Sequence, residues 1–341
     1  MSNRHLFPLF SASVLLGTLL TGPAAADDWK YAIEEAVNEV QGVFATKFKE
    51  HIEANSDHTV TIYPFGTLGE STDIMEQAQA GLLQFVDQSP GFTGALIPEA
   101  QVFLLPYFLP EDTAVLNEFF RSSKAIKEDF HELYRQQSLE LLAMFPEGEV
   151  VMTTKEEFHS PADLNEVKFR VMSIPLLVET YKQFGAIPTP LPWGEVFGAL
   201  QLNMIQGQEN PTSFVESTKI YEVVDVITFT GHNTFTTAVM ANADFYDGLP
   251  EEEQKLVQDA SQQAFDFILG YQKDLEKKAI EAIQASKPEL KVVVLTDEER
   301  QPFRDAAQKV KDWFVQETGD SGKAILEKME QEAAAAKAKV Q

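Results

Sequence analysis

A chain of 341 residues, 44% of them hydrophobic, can bury the core of one large domain or of two ordinary ones. Its formal net charge of −26 argues against nucleic acid and anionic membrane surfaces as partners, and fits either plain solubility or a saline habitat. The absence of cysteine excludes disulfides, thiolate catalysis and cysteine-type zinc sites together.

Residues 1–26 read as an export signal. Arg4 and His5 give a basic start, 7–20 is an apolar run, and Ala24, Ala25 and Ala26 form a small-residue cleavage site before Asp27. That run is too short to span a bilayer comfortably, and no later segment is long and apolar enough. The mature chain is therefore expected to be exported and soluble.

From there the pattern alternates. A strand over 29–33 ends at Glu34 and Glu35, and a helix follows with Val37, Val40, Phe44, Phe48 and Ile52 on one face. A strand over 58–63, a helix over 71–80 stopped by Gly81, and a buried strand over 83–86 complete a β-α-β-α-β unit. An apolar, proline-rich loop (98–110) precedes helices over 113–120 and 124–137. Strands are expected over 139–145 and 150–154, the second carrying the chain into another domain. A capped turn (160–164), a strand (168–172) containing Arg170 and a helix (175–184) ended by Gly185 follow. Strands over 226–230 and 235–242 come next, the latter returning the chain to the first domain. A single helix over 250–286 would be about 55 Å long and has to lie across both domains, with Gly270 near its middle as a possible bend. A strand over 292–295 and two amphipathic helices close the chain, with an Ala/Lys-rich tail that frays after Glu332.

The expected architecture is α/β, with two lobes joined by more than one crossing strand, a cleft between them, and a long helix spanning both. The boundaries place 27–147 and 236–275 in the first lobe, 148–235 and 276–303 in the second, and the C-terminal helices over 304–341.

The stretch 189–211, TPLPWGEVFGALQLNMIQGQENP, organises the functional reading. Pro190 and Pro192 hold the backbone extended before Trp193. Glu195 begins a short helix with Val196, Leu200 and Leu202 for packing. Met204 and Ile205 read as buried, and the strand behind them ends in polar amides and Pro211. In open α/β sheets ligands sit at that end of the strands. Trp193 and Asn210 thus offer an aromatic wall and an amide on neighbouring connections.

Arg170 alternates with Phe169 and Val171, which puts a guanidinium at a strand end. A structural ion pair and a ligand clamp use the same planar fork, so both readings stand. Glu34 and Glu35 read either as partners of a helix dipole or as acceptors for a cationic ligand group. Phe92, Trp193, Phe214 and Phe235 all follow strand ends. Each alone suits a core, whereas together they suit an aromatic box around a delocalised cation. No nucleophile elbow, HExxH, phosphate loop or dinucleotide fingerprint occurs. The six histidines are scattered, and His232 reads as a turn or packing residue. No enzyme activity, metal or cofactor is expected.

At this point the residues resemble a known family. FGAIPTPLPWGEVFGALQ (184–201) and GQENP (207–211) resemble the signature of substrate-binding proteins of TRAP transporters. Lys219 to Val223, Gly231-His232, Leu68-Gly69-Glu70 and the Asp163-Leu164 and Phe169-Arg170 pairs fit the same family. The resemblance covers nearly all the mature chain and implies the two-lobed periplasmic binding protein fold. It also implies a periplasmic, monomeric chain working with the membrane permease subunits. The family arginine that clamps the ligand carboxylate falls on Arg170, and the family asparagine on Asn210. Val150 stands where many members place a second arginine, which argues against sialic acids and simple dicarboxylates.

The segments 88–94, 146–149, 191–195 and 235–237 look like those of the ectoine- and hydroxyectoine-binding members. By that resemblance Glu35 takes the amidinium N–H groups and Arg170 and Asn210 hold the carboxylate. Phe92, Trp193, Phe214 and Phe235 frame the ring, although the family position at Phe214 is a tryptophan. Ectoine is a zwitterion, and one arginine, one glutamate and an aromatic box match its inventory. The alternative is a binder of a small mono- or dicarboxylate or oxo acid held through Arg170.

Overall fold

The computed structural model describes residues 27–341, so the export signal expected over 1–26 lies outside the described residues. Ten strands form the sheet: β1 (Asp28–Ala32), β2 (Thr59–Tyr63), β3 (Phe85–Gln88), β4 (Leu139–Thr154), β5 (Lys168–Val171), β6 (Ile187–Pro190), β7 (Gly207–Pro211), β8 (Val226–Phe229), β9 (Thr234–Asn242) and β10 (Lys291–Val294). The order is β2-β1-β3-β9-β4-β7-β5-β6, while β8 pairs with both β4 and β10. β1 runs parallel to β2 and β3, and β5 parallel to β6 and β7, as helical crossovers require.

The two halves of the sheet meet at β4. Its first part, Leu139 to Glu149, pairs with β9, and its last part, Val150 to Thr154, pairs with β7. Two strands were expected here, over 139–145 and 150–154; the structure has one. Gly148 takes φ +142°, a conformation glycine reaches without strain, and the register slips between Pro146 and Gly148. The ladder bends there instead of ending, so one strand serves both halves.

The larger core packs the helix Val40–Asn55 on the first half, with Phe44 stacked on Phe145 at 5.0 Å and Phe48 edge-on to Phe85 at 4.8 Å. It continues under β5 through Phe169, Tyr181, Phe184 and Phe303. The opposite face of the second half carries a separate cluster that includes Val151, Val196, Leu200, Ile205, Ile227 and Ile283. Each fully buried side chain of this size contributes about 1.5–3 kcal/mol. Covering both faces explains why Phe169, Arg170 and Val171 are all buried despite alternating.

The helix expected over 250–286 is divided into Glu251–Tyr271 and Leu275–Ser286 by a tight turn, Gln272–Asp274. The first piece packs on the helix Val40–Asn55 and the second on the helix Thr212–Ser217, so the path still crosses from one half to the other. The C-terminal helix, Asp297–Val340, breaks at Gly319, where φ is 64° and ψ −148°. Its tail does not fray. Ala336 is buried, Lys339 pairs with Glu118 at 2.6 Å, and the Glu332 carboxylate accepts from the backbone N–H groups of Lys124 and Ala125. Leu202 and Met204, expected to pack, are exposed at 73% and 62%, because the turn after the helix Trp193–Gln201 leaves the core there. Val37 is likewise exposed, since the helix starts only at Val40.

Candidate functional site

The seven residues singled out from the sequence, Glu35, Phe92, Arg170, Trp193, Asn210, Phe214 and Phe235, line one cleft. It lies at the C-terminal ends of β1, β3, β5, β6 and β7 and beside the start of β9, where the two halves of the sheet face each other. About 430 Å³ of empty space lies there, open solvent included.

One wall is built around Arg170. Its Nε donates to the Leu191 carbonyl at 3.0 Å, and its Cζ lies 5.5 Å from the centre of the Trp193 ring. The side chain is 3% exposed, and burial pulls the guanidinium down to about 10, against the opposing pull of Glu209 and Glu70. Among the described residues no carboxylate reaches salt-bridge distance of it, so the structural ion pair weighed from the sequence is not formed. Asn210 stands beside it at the end of β7. One of its amide N–H bonds goes to Gln208 Oε1 at 2.7 Å, and Gln208 is held in turn by Thr153 at 2.7 Å. An amide has two N–H bonds, so this chain fixes the rotamer and leaves one donor for the cleft.

The other wall is acidic. Glu34 and Glu35 sit in the turn between β1 and the helix Val40–Asn55, and the dipole reading holds for Glu35, whose carboxylate accepts from the backbone N–H of the helix's second residue. Gly42 makes the turn possible: a Cβ there would lie 2.4 Å from the Ala36 carbonyl oxygen. Glu35 Oε2 accepts from the Gln41 backbone N–H at 2.8 Å, and Glu34 Oε2 accepts from that of Ser89 at 2.8 Å. Asp87 and Glu147 lie behind them, also buried. Burial drives Glu34 up to about 8 and Glu35 well above the carboxylate range, with Glu147 and Glu39 adding like-charge repulsion at Glu35.

Four half-buried rings close the space. Trp193 and Phe214 meet at 4.8 Å on the guanidinium wall, while Phe92 follows β3 and Phe235 opens β9. Each is partly exposed, unlike the core rings. The cleft is also lined by residues that the sequence reading did not select, namely Gln41, Phe65, Ser71, Met172 and Pro211, together with Glu34, which it weighed and set aside. Pro211 ends the GQENP segment, Phe65 and Met172 follow β2 and β5, and Gln41 and Ser71 open helices. Met172 closes on Gly91, where a Cβ would fall 2.3 Å from its sulfur.

His232 has a defined place outside the cleft. Its Nε2 lies 3.1 Å from Glu209 Oε2 and its Nδ1 2.5 Å from Thr230 Oγ1, and the Tyr181 hydroxyl donates to the same Glu209 oxygen. This is a buried, self-satisfied network, which agrees with a packing role. Among the described residues no cluster of acidic and histidine side chains is arranged to hold a metal ion, and no helix is long and apolar enough to cross a membrane.

Residues 31–318 match the family of bacterial extracellular solute-binding proteins, family 7. The chain is 62% identical over 318 residues to the ectoine/5-hydroxyectoine-binding periplasmic protein UehA of Ruegeria pomeroyi, covering 93% of this chain and 94% of that one. It is 53% identical over 315 residues to the ectoine-binding periplasmic protein TeaA of Halomonas elongata, covering 92% of each. The high-resolution structure of that protein, from the TeaABC TRAP transporter, superposes with a TM-score of 0.90 over 91% of this chain and all of that one. In its apo state the same protein gives 0.80. The two-lobed α/β fold, the match over most of the chain and these identities together place the chain in the TRAP-type family 7 of bacterial extracellular solute-binding proteins.

Proposed function

We propose that this chain is the periplasmic binding protein of a TRAP transporter and that it captures ectoine or hydroxyectoine. The observation that carries this reading is the pairing across one cleft of a lone buried guanidinium with a wall of buried carboxyls. A zwitterion with one carboxylate and one delocalised cation answers both. Arg170 and Asn210 take the carboxylate, Glu35 accepts from the amidinium N–H groups, and the four rings cover the ring faces. A charge-assisted hydrogen bond contributes about 1.5–3 kcal/mol and a desolvated cation–π contact about 0.5–2 kcal/mol. A few of each reach micromolar affinity or better after the ordering cost.

The lobes divide as 27–147 with 236–275 and 148–235 with 276–303, and their closure buries the solute. The chain works as an exported monomer, releases the solute unchanged to the membrane permease, and catalyses nothing. A thermal-shift panel tests the ligand. Ectoine at a hundred times its Kd adds about 2.7 kcal/mol, a rise of several degrees. Protection by succinate or malate, with none from ectoine or hydroxyectoine, would replace this reading with a plain carboxylate binder.

A further inference from the structure

We propose that Glu147 is a positioning residue that holds a proton against Glu35, and that arrival of a ligand cation in the cleft sends this proton to solvent. The inference rests on the zwitterion reading above and concerns how the acidic wall is kept ready for it.

The geometry is local to one wall. Gln41 bridges the pair: its backbone N–H donates to Glu35 Oε2 at 2.8 Å, and its Nε2 donates to Glu147 Oε1 at 3.1 Å. Thr237, on β9, donates its hydroxyl to that same Glu147 oxygen. Gln41 Nε2 also reaches Thr237 Oγ1 at 3.0 Å, so the three side chains lock together. Gln41 thus holds both carboxyls against one residue, and both are buried. Two buried carboxylates held this close, with no cation beside them, do not both ionise. Two donors on Glu147 favour the anion there, which leaves the proton on Glu35. Burial and the Glu147 charge hold Glu35 well above the usual range.

The groups around the pair reinforce this. Glu34 and Glu39 share its turn, and Asp87 on β3, with the Tyr31 hydroxyl bonded to it at 2.5 Å, lies behind. Across the cleft stand Arg170 and, beside Glu39, Glu216 and Lys278. Among the described residues neither Glu35 nor Glu147 has a cation at salt-bridge distance. A ligand cation at about 4 Å interacts with a carboxylate by roughly 4 kcal/mol at the dielectric of a protein surface, enough to pull its pKa down by about three units. Glu35 then ionises and accepts the ligand N–H, Glu147 keeps its donors from Gln41 and Thr237, and the proton goes to bulk buffer. Binding therefore strengthens as pH rises towards the raised Glu35 pKa and weakens as it falls, because a protonated Glu35 must first be emptied.

Calorimetry of the mature protein with ectoine, in phosphate and in Tris at one pH, reads the proton directly as a difference in apparent enthalpy. The expected release approaches about one proton per ligand, and affinity falls up to about tenfold per pH unit on the acid side. Glu147→Gln keeps the acceptor for Gln41 and Thr237 but offers Glu35 an N–H instead of a charge. In that variant ectoine still binds, the release drops sharply and the pH dependence flattens. Equal heats in both buffers with ectoine bound, or an unchanged release in Glu147→Gln, would overturn the inference and leave the proposed function intact. No heat from ectoine at any pH would remove the zwitterion reading and this inference with it.

Discussion

Strand β7 separates two buried polar groups that differ in one respect. On one side Glu209 is satisfied by Tyr181 and His232, and Tyr181 is stacked on Phe169 at 4.2 Å. On the other side Asn210 and Arg170 have each spent part of their donor capacity on Gln208 and Leu191 and turn the rest to the cleft. Adjacent residues of a strand point to opposite faces, so Glu209 and Asn210 serve opposite ends. A buried polar group with all its partners in the protein belongs to the fold. One with donors left over and a cavity in front of it is built for a ligand.

The contrast is broken most directly at Arg170. Arg170→Ala removes the charge-assisted bonds to the ligand carboxylate and weakens ectoine binding at least about tenfold in calorimetry. Burial opposes this cation, so its loss leaves the melting temperature unchanged or raises it. Unchanged affinity would make Arg170 structural. Glu209→Ala should do the reverse. It leaves the Tyr181 hydroxyl and His232 Nε2 only their long mutual contact of 3.3 Å in a dry site, at a cost of about 2–4 kcal/mol. Scanning calorimetry then records a fall of several degrees, and a stable variant with lost affinity would reverse the assignment of the two faces.

Trp193→Ala sharpens the comparison on the cleft side. It removes a cation–π contact of about 0.5–2 kcal/mol, so ectoine should lose more affinity than a carboxylate without a cation. Equal losses for both would argue against the aromatic box. The smallest expected effect is on the acidic wall. Gly42→Ala pushes on the turn that carries Glu34 and Glu35, and ectoine affinity should fall a few-fold with the Arg170 side untouched. Wild-type affinity in that variant would mean the turn yields without moving Glu35.

The order of strands and helices and the membership of the cleft could be read from the chain because strand ends carry their own signals. GQENP is polar yet sits where a buried strand must run, and a buried polar strand asks for partners. Arg170 shows the limit of that reading. Alternation placed it on a face, but only the packed structure reveals that no carboxylate among the described residues reaches it. The acidic wall was harder still. Glu34 and Glu35 read as helix-start residues, and Glu147 and Asp87 come from β4 and β3, far apart in the chain. Their proximity follows from strand pairing through β9, a long-range property that local periodicity does not carry. The continuous β4 was missed for a related reason, whereas Gly270 marked the place beside which the long helix divides at Gln272. A bend at Gly148 that continues the ladder is decided by what packs against it.

The orientation of the ligand is the point on which these claims converge. A crystal structure of the mature protein with ectoine should find the carboxylate on Arg170 and Asn210 and the ring N–H groups on Glu35, between Phe92, Trp193, Phe214 and Phe235. Ectoine turned end for end, or an Arg170 side chain swung out to solvent with ectoine bound, would contradict it.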